Sequence, residues 1–508
     1  MNTIREIWDS SCEKYSDLTA VKWLEKKDIK SITYGELNED AVAIRKGLKA
    51  EGFDGAHISM IGVASRSWIG TYLGITTGNN VAVPLAAGLP AEDLKDLIND
   101  SDAEALFLLP KGKPMARLIK MACPKVRKIW LLQEESEEGF ETLADLKAKG
   151  EGQEDVSGRK AEEIATLIYT SGTTGKSKGV MLSQSNLAQN VESVPYTAEP
   201  GCTLLSVLPV HHAFCLVMDW LKGFSLGATV CINDSFMHMV KNMGIFKPEV
   251  MLMVPLMIET IYKRLSAVDP SLPKEAVAAN VFGGRLKVIF TGGAHLDPFY
   301  IEKLREYGVQ VLEGYGMSEC SPVISSNTPE VHKDGSIGKP LPNVKVRFVN
   351  DEIQVQGSSV MQGYYKMPAE TAETLEGGWL HTGDKGYIDE DGFLFINGRV
   401  KNLIILSNGE NISPEEIENK LGINPLVGEV IVTGENNGLT ARIYPDQDVI
   451  KVKGLTDEAV KAALDTLLKE YNRNQPTYRQ IISLVVRKNP FHRNATRKII
   501  RADAEIDE

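Results

Sequence analysis

The sequence predicts an α/β fold: a large N-terminal domain of layered α/β sheets with a small β-barrel-like subdomain, followed by a small α+β C-terminal domain. Three observations predict it. Short apolar runs alternate with helical patterns from residue 57 to 105, and again from residue 204 to 345. Buried strands alternating with helices are the pattern of a doubly wound layer. From residue 344 the strands shorten and glycine becomes frequent, as in a small antiparallel barrel or sheet. The polar turn Asn397-Gly-Arg-Val-Lys-Asn402 then falls between two apolar strands, and the residues beyond it read as a self-contained unit. A chain of 508 residues exceeds a single hydrophobic core. The expected division is 1–398 and 399–508.

Taken in order, the chain opens with an amphipathic helix and a strand at 20–24. Ser31-Ile-Thr-Tyr-Gly-Glu-Leu37 reads as strand into helix, with Thr33 as N-cap and Glu36 three residues later, the spacing of a capping box. Strands follow at 58–63, 81–85 and 105–109. Residues 134–163 are rich in Glu, Lys and Gly and read as a solvated, partly helical connection to which no function is assigned. Two further apolar runs, 167–169 and 180–182, read as strands around a polar loop, and Ser183-Gln-Ser-Asn186 is expected to delay the next helix. Later strands are expected at 204–208, 229–232, 286–290, 309–312, 344–349 and 352–355.

Composition narrows the function classes. A net charge of −12 argues against nucleic acid as a general partner, so any phosphate site must concentrate its basic residues locally. The six cysteines (12, 123, 202, 215, 231, 320) form no C-x-x-C pair; disulfides and a zinc site are not expected, and a reducing, cytoplasmic location fits. The N-terminal residues contain no apolar signal core. The apolar run at 250–258 is too short to span a bilayer and contains Pro255, so no integral membrane segment is expected, while peripheral contact stays open.

The most informative stretch is Thr170-Ser-Gly-Thr-Thr-Gly-Lys-Ser-Lys178, set between the two apolar runs. Small hydroxyls, open backbone N–H groups and two ammonium groups suit a polyphosphate. Walker A spacing fails, because Thr170 stands where its first glycine belongs. A flexible Gly/Ser linker is the bland alternative, and linkers seldom sit between buried strands.

Five later stretches are polar or glycine-rich: Leu208-Pro-Val-His-His-Ala-Phe214, Thr291-Gly-Gly-Ala294, Glu313-Gly-Tyr-Gly-Met-Ser-Glu319, Trp379-Leu-His-Thr-Gly-Asp384 and the tail from Asn489 to Arg501. Two of them read as glycine-rich turns at strand C-termini, where open α/β sheets bind ligands. Gly292, Gly293, Gly314 and Gly316 would let backbone approach a flat base, with Tyr315 available to stack on it. Glu319 can supply a carboxylate to Mg²⁺ beside phosphates, and Asp384 can bridge two ribose hydroxyls. Each alone is a weak signal, since a strand-end glycine pair is commonly a plain turn and a lone His commonly satisfies a core hydrogen bond. Their joint order carries the weight.

In that order these motifs, with Gly-Arg-Val-Lys-Asn at 398–402, resemble the adenylate-forming superfamily of acyl- and aryl-CoA synthetases, adenylation domains and beetle luciferases. The resemblance covers about residues 5–501. Gly363-Tyr-Tyr-Lys-Met-Pro368 and the stretch from Asn402 to Ile417 look most like the bacterial long-chain fatty acyl-CoA ligases. The resemblance implies a two-step reaction: a carboxylate attacks the α-phosphate of ATP to give acyl-AMP and pyrophosphate, and a thiol then displaces AMP. It implies ATP, Mg²⁺ and CoA, or a carrier-protein phosphopantetheine, and a small carboxylic acid, with acyl carrier protein as an alternative acceptor.

By the same resemblance Thr170, Ser171, Gly172, Thr173, Thr174, Gly175 and Lys178 cradle the β- and γ-phosphates, and Thr170 and Glu319 hold Mg²⁺. Glu313, Gly314, Tyr315, Gly316, Met317, Ser318, Gly293 and Ala294 line the nucleotide site. Asp384 takes the ribose hydroxyls with Arg399 behind it. Lys498 reaches the α-phosphate and acyl oxygen; the residue before it is Arg497, where the family often has Gly. Lys401 matches the hinge about which the family's C-terminal domain turns between half-reactions. His211, His212, Gly292, Gly293, Ala294 and Tyr315 fall to the acyl pocket, with His212 or its neighbour as a gate and core packing as the alternative. Amino-acid-activating relatives place an Asp near 208–214; here no carboxylate stands there, although Asp219 lies seven residues past His212, on the same face if the segment is an α-helix. The expected substrate is a medium- or long-chain fatty acid joined to CoA, the alternatives being transfer to a carrier protein or an aryl acid.

Overall fold

Local sequence signals set several element boundaries. The Thr33 hydroxyl accepts from the Glu36 amide at 3.2 Å and the Glu36 carboxylate accepts from the Thr33 amide at 2.8 Å, so the expected capping box opens the helix Tyr34–Ala50. Ser183 is also a cap. Its hydroxyl accepts from the Asn186 amide at 3.1 Å, Asn186 Oδ1 accepts from the Ser183 amide at 2.9 Å, and the helix Gln184–Ser193 starts at once. The expected delay over 183–186 is therefore corrected: these polar residues satisfy the orphan N–H groups of the helix they precede.

The structure is a computed structural model that describes residues 1–171, 177–269, 271–405, 411–435, 438–493 and 499–506. The chain divides into two compact units. The first comprises Met1–Ala294, Phe299–Val346 and Val355–Leu380; the second comprises His295–Pro298, Arg347–Gln354 and His381–Glu508.

Two large sheets build the first unit. One has nine strands in the order Lys339–Pro340, Val323–Ser326, Gln310–Gly316, Val288–Thr291, Val250–Met253, Thr203–Ser206, Thr229–Ile232, Thr19–Glu25, Asp28–Thr33. The six strands from Gln310–Gly316 to Thr19–Glu25 are mutually parallel, and antiparallel strands close both edges. The other has eight, in the order Gly363–Tyr364, Ser177–Ser183, Ile164–Ser171, Val81–Ala86, His57–Gly62, Ala105–Leu108, Lys128–Leu131, Glu141–Thr142. Central strands such as Ala105–Leu108 are buried throughout, as expected where helices cover both faces of a parallel sheet. Trp8, Trp68, Trp130 and Trp220 are fully buried in this unit and anchor its layers.

The 134–163 connection is partly helical, at Leu143–Lys149, as expected. It is also tied down: Asp155 accepts from Arg45 Nε at 2.6 Å, and Arg45 is only 4% exposed. The 250–258 run splits into the strand Val250–Met253 and the helix Pro255–Ser266, with Pro255 in the first turn where its missing N–H costs nothing. Among the described residues no helix is long and apolar enough to cross a membrane. All six cysteines are free.

The small glycine-rich part is a four-stranded sheet in the order Val344–Val349, Glu352–Gly357, Leu380–Ile388, Leu394–Arg399. Beyond it the second unit is α+β. Its three-stranded sheet (Val427–Glu435, Gly438–Pro445, Ile481–Val486) packs with the helices Pro414–Gly422 and Asp457–Arg473 around Ile417, Leu421, Leu439, Ile443 and Leu464. Arg487, 2% exposed, donates to the carbonyls of Ala504 and Ile506 at 2.5 and 2.7 Å and so ties residues 504–506 to the sheet.

Candidate active site

The strands Ile164–Ser171 and Ser177–Ser183, on either side of the expected phosphate loop, are antiparallel, with Thr170 opposite Lys178, Ser171 opposite Ser177 and Tyr169 opposite Gly179. Gly172, Thr173, Thr174, Gly175 and Lys176 lie outside the described residues. Gly179 packs closely on Tyr169: a Cβ there would stand 3.3 Å from the Tyr169 ring. Tyr169 donates to Asp100 Oδ2 at 2.7 Å, and burial, then the Asp100 charge, push its phenol far up, so it stays a donor. The last strand residues before the loop are thereby fixed.

Glu319 lies on the short turn Ser318–Cys320 after the strand Gln310–Gly316 and is 8% exposed. Its Oε1 accepts a 2.8 Å hydrogen bond from the phenol of Tyr364. Among the described residues no Lys or Arg forms an ion pair with it. A largely buried carboxylate without a protein cation fits a metal ion as its counter-charge. No group of three or more His, Cys, Asp or Glu able to hold a metal occurs among the described residues. Mg²⁺ suits such a place, because it takes one or two carboxylates and fills its octahedron with phosphate oxygens and water.

The strand order of the nine-stranded sheet reverses at Thr203–Ser206, whose neighbours are reached by crossovers in opposite directions. At such a reversal a parallel sheet leaves a crevice beyond its strand C-termini, and Leu208–Phe214 follows Thr203–Ser206 at that end. The rings of His211 and His212 lie 4.2 Å apart; burial, then His212, pushes His211 down to about 3, so it is neutral at physiological pH. Gly292 and Gly293 follow the adjacent strand Val288–Thr291, with Gly293 at φ +82° in the turn expected there and Ala294 exposed beside it. A Cβ on Gly292 would meet the Gly314 carbonyl oxygen at 3.0 Å and the Phe214 ring at 3.9 Å. Three of the expected stretches therefore converge.

Two expectations change here. Gly314-Tyr-Gly316 is not a turn but the end of the strand Gln310–Gly316, which goes on to pair with Val323–Ser326. Its glycines answer close backbone approach: a Cβ on Gly316 would lie 2.0 Å from the Pro322 carbonyl oxygen. Glu313 and Tyr315 are buried along it, while Met317 and Ser318 are half-buried where it ends. Second, Phe214–Lys222 is a π-helix, so the seven-residue spacing from His212 to Asp219 does not carry the α-helical meaning assumed for it. Asp219 is fully buried, and its Oδ2 accepts from Ser206 Oγ at 2.8 Å and from Cys215 Sγ at 3.5 Å. It is a core acid within the π-helix, removed from any solvated substrate ammonium.

In the second unit, Asp384 stands opposite Arg399 on paired strands, and Arg399 Nε lies 2.9 Å from Asp384 Oδ1. Thr382 Oγ1 accepts from the Asp384 amide at 3.1 Å, Gly383 takes φ +70°, and Asp384 is 6% exposed. Lys401 lies on the exposed turn Val400–Asn402. Lys498 lies outside the described residues; Arg493 and Ile499 on either side of it form an antiparallel bridge.

Residues 8–365 match the AMP-binding enzyme family, and residues 401–507 match the AMP-binding enzyme C-terminal domain. The chain belongs to the AMP-binding enzyme family. It is an adenylate-forming enzyme, an AMP-forming acid–thiol ligase, similar to bacterial long-chain-fatty-acid–CoA ligases. The long-chain-fatty-acid–CoA ligase FadD15 of Mycobacterium bovis is 28% identical over 452 residues, 80% of this chain and 75% of that protein. A long-chain-fatty-acid–CoA ligase of Escherichia coli O6:H1 is 30% identical over 364 residues, 67% of this chain and 61% of that protein. Among solved structures, the anthranilate CoA ligase AuaEII in complex with anthranoyl-AMP superimposes with a TM-score of 0.86 at 20% identity, covering 99% of this chain and 97% of that one, a likeness of fold. ATP-bound MatB from Rhodopseudomonas palustris gives a TM-score of 0.80 at 25% identity over the whole of both chains.

Sequence reasoning assigned no role to Tyr364, Tyr365 or Asp102. Tyr365 donates to Asp102 Oδ2 at 2.8 Å, and Lys366 pairs with the same oxygen at 2.7 Å. Burial pushes the Asp102 carboxyl up, but hydrogen bonds from Lys125, Lys366 and Tyr365 outweigh it and hold the group well below the usual range. The sequence signal was a Gly-Tyr-Tyr-Lys stretch whose partners lie far away in the chain.

Proposed function

We propose that the protein is an ATP-dependent fatty acid–CoA ligase acting on medium- or long-chain acids. The reading of the acid rests on the strand-order reversal, where His211 is neutral, Gly292 and Gly293 follow the adjacent strand and Asp219 is sealed in the core. A carboxylic acid without an ammonium group fits that lining. The relatives of the long-chain branch support an alkyl acid.

In the first half-reaction negative charge builds at the α-phosphate and on the bridging oxygen, and fixed cations and N–H donors offset it. The loop Thr170–Lys178 holds the β- and γ-phosphates, which leave as pyrophosphate. Bound Mg²⁺, held by Glu319 and Thr170, would supply charge neutralisation there. Glu313, Gly314, Tyr315, Gly316, Met317, Ser318, Gly293 and Ala294 line the adenine and acyl side, and Asp384, oriented by Arg399, takes the ribose hydroxyls. Lys498 stabilises the α-phosphate and acyl oxygen as the acyl-AMP forms. His212 gates the acyl entrance, and CoA then displaces AMP. The functional division falls after residue 398, with Lys401 as hinge, and a cytoplasmic location fits the six free cysteines.

Thioester formation with alkanoates of graded length and with benzoates, each offered CoA or acyl carrier protein, tests this reading. Acyl-CoA from alkanoates is expected. Benzoyl-CoA alone would make the protein an aryl acid ligase, and acyl carrier protein alone would change the acceptor.

A further inference from the structure

Tyr364 stands where two parts of the phosphate site meet. Its phenol donates to Glu319 Oε1 at 2.8 Å, and the Lys178 ammonium lies over its ring, 4.6 Å from the centroid. The ring is held from both sides in the chain. The Tyr364 amide donates to Thr371 Oγ1 at 2.9 Å, and the Tyr365 amide donates to the Gly179 carbonyl at 2.8 Å. Gly363 and Tyr364 extend the eight-stranded sheet, opposite Met181 and Val180 of the strand that leaves the loop. Gly363 takes φ +134°, and a Cβ there would meet Thr371 Cγ2 at 2.6 Å, so only glycine lets the chain turn Tyr364 in at this point.

We propose that Tyr364 is a positioning residue for metal binding: its phenol orients the Glu319 carboxylate toward the cation, and its ring holds Lys178 at the base of the phosphate loop. The proposal rests on the reading of Glu319 as the metal carboxylate. The phenol occupies one carboxylate oxygen and selects the direction in which the other is presented. Groups that hydrogen-bond a ligating carboxylate set its orientation and basicity, and their loss typically weakens metal affinity by about ten- to a hundredfold. A cation over an aromatic face is attracted by the ring's quadrupole, and phenylalanine retains that attraction.

The two contacts can be separated in the full-length protein. Mn²⁺ binding is followed by electron paramagnetic resonance with α,β-methylene ATP, and binding of the analogue without metal is followed by calorimetry. Y364F keeps the ring under Lys178 and loses the hydroxyl; it is expected to weaken Mn²⁺ binding roughly tenfold while leaving metal-free analogue binding and thermal stability unchanged. Y364L loses both contacts and is expected to weaken both. E319Q weakens Mn²⁺ at least as much as Y364F, and adding Y364F to E319Q costs nothing further, because the two side chains act through one contact. Wild-type Mn²⁺ affinity in Y364F beside a weakened E319Q overturns the positioning role and leaves Glu319 as the metal carboxylate. Wild-type affinity in both overturns both. Equal losses of metal and metal-free binding in Y364F reduce Tyr364 to a structural residue. If Y364F does not fold, Thr371→Val, which frees the Tyr364 amide, takes its place with a smaller loss of the same kind expected, and wild-type Mn²⁺ affinity in it overturns the proposal.

Discussion

Asp219 carries the clearest pH dependence in the first unit. Burial raises its carboxyl from 3.8 to about 7, with the hydrogen bonds of Ser206 and Cys215 opposing the shift. An acid whose pKa is higher folded than unfolded contributes stability that is full below the unfolded value and is lost as pH rises through the folded one. Between pH 5 and pH 8 Asp219 should therefore remove about 2–3 kcal/mol of folding stability. D219N keeps the shape and removes the proton, so its stability should fall by that much less over the same interval. Denaturant unfolding of both proteins at the two pH values checks this, and parallel profiles would refute it. The residue scale also shows what a sequence can and cannot disclose. Glu319 and Asp384 stood out in the sequence because each is a carboxylate within a short polar, glycine-containing motif. Tyr364 did not, since its partners Glu319 and Lys178 come from other parts of the chain and only the fold unites them.

Among the elements, the crevice depends on how closely the strand ends approach. Gly292 allows the turn after Val288–Thr291 to lie against Gly314 on the neighbouring strand and beside Phe214 at the start of the π-helix. In G292A the added methyl group would stand 3.0 Å from the Gly314 carbonyl oxygen, so the turn or the strand must shift, and under the proposed function that shift narrows the acyl side. One methylene in an apolar pocket is worth about 1–3 kcal/mol of discrimination. G292A should accordingly lower kcat/KM for long acids relative to short ones by tenfold or more, about the lower end of that range. A chain-length series measures it, and an unchanged preference would show that Gly292 does not border the acyl chain. Strands were the most legible elements, because buried parallel strands read as continuous apolar runs such as Ala105–Leu108. Gly314-Tyr-Gly316 misled as a turn because glycine serves bends and close backbone packing alike. The π-helix Phe214–Lys222 left no trace in the periodicity, as every residue from Cys215 to Leu221 is buried and no apolar stripe distinguishes one helical period from another.

At the scale of the molecule, an acidic chain with a net charge of −12 that takes up a polyanion needs local positive charge, and the proposed function assigns that part to Lys178, to a cation on Glu319 and to Lys498. The first unit builds the crevice and loop from two sheets, and the second carries Asp384, Arg399 and Lys498. The order of the motifs made this reaction legible from sequence, whereas the preferred acid was not, because the crevice lining comes from segments far apart in the chain. The central claim is that the bond broken in ATP joins the α- and β-phosphates, with the acid as nucleophile. Nucleotide products resolved by chromatography after incubation with ATP, Mg²⁺, CoA and a panel of fatty acids test it most directly. One AMP and one pyrophosphate per acyl-CoA, formed only when acid is present, is the predicted result; ADP and phosphate, or no AMP with any acid, would contradict it.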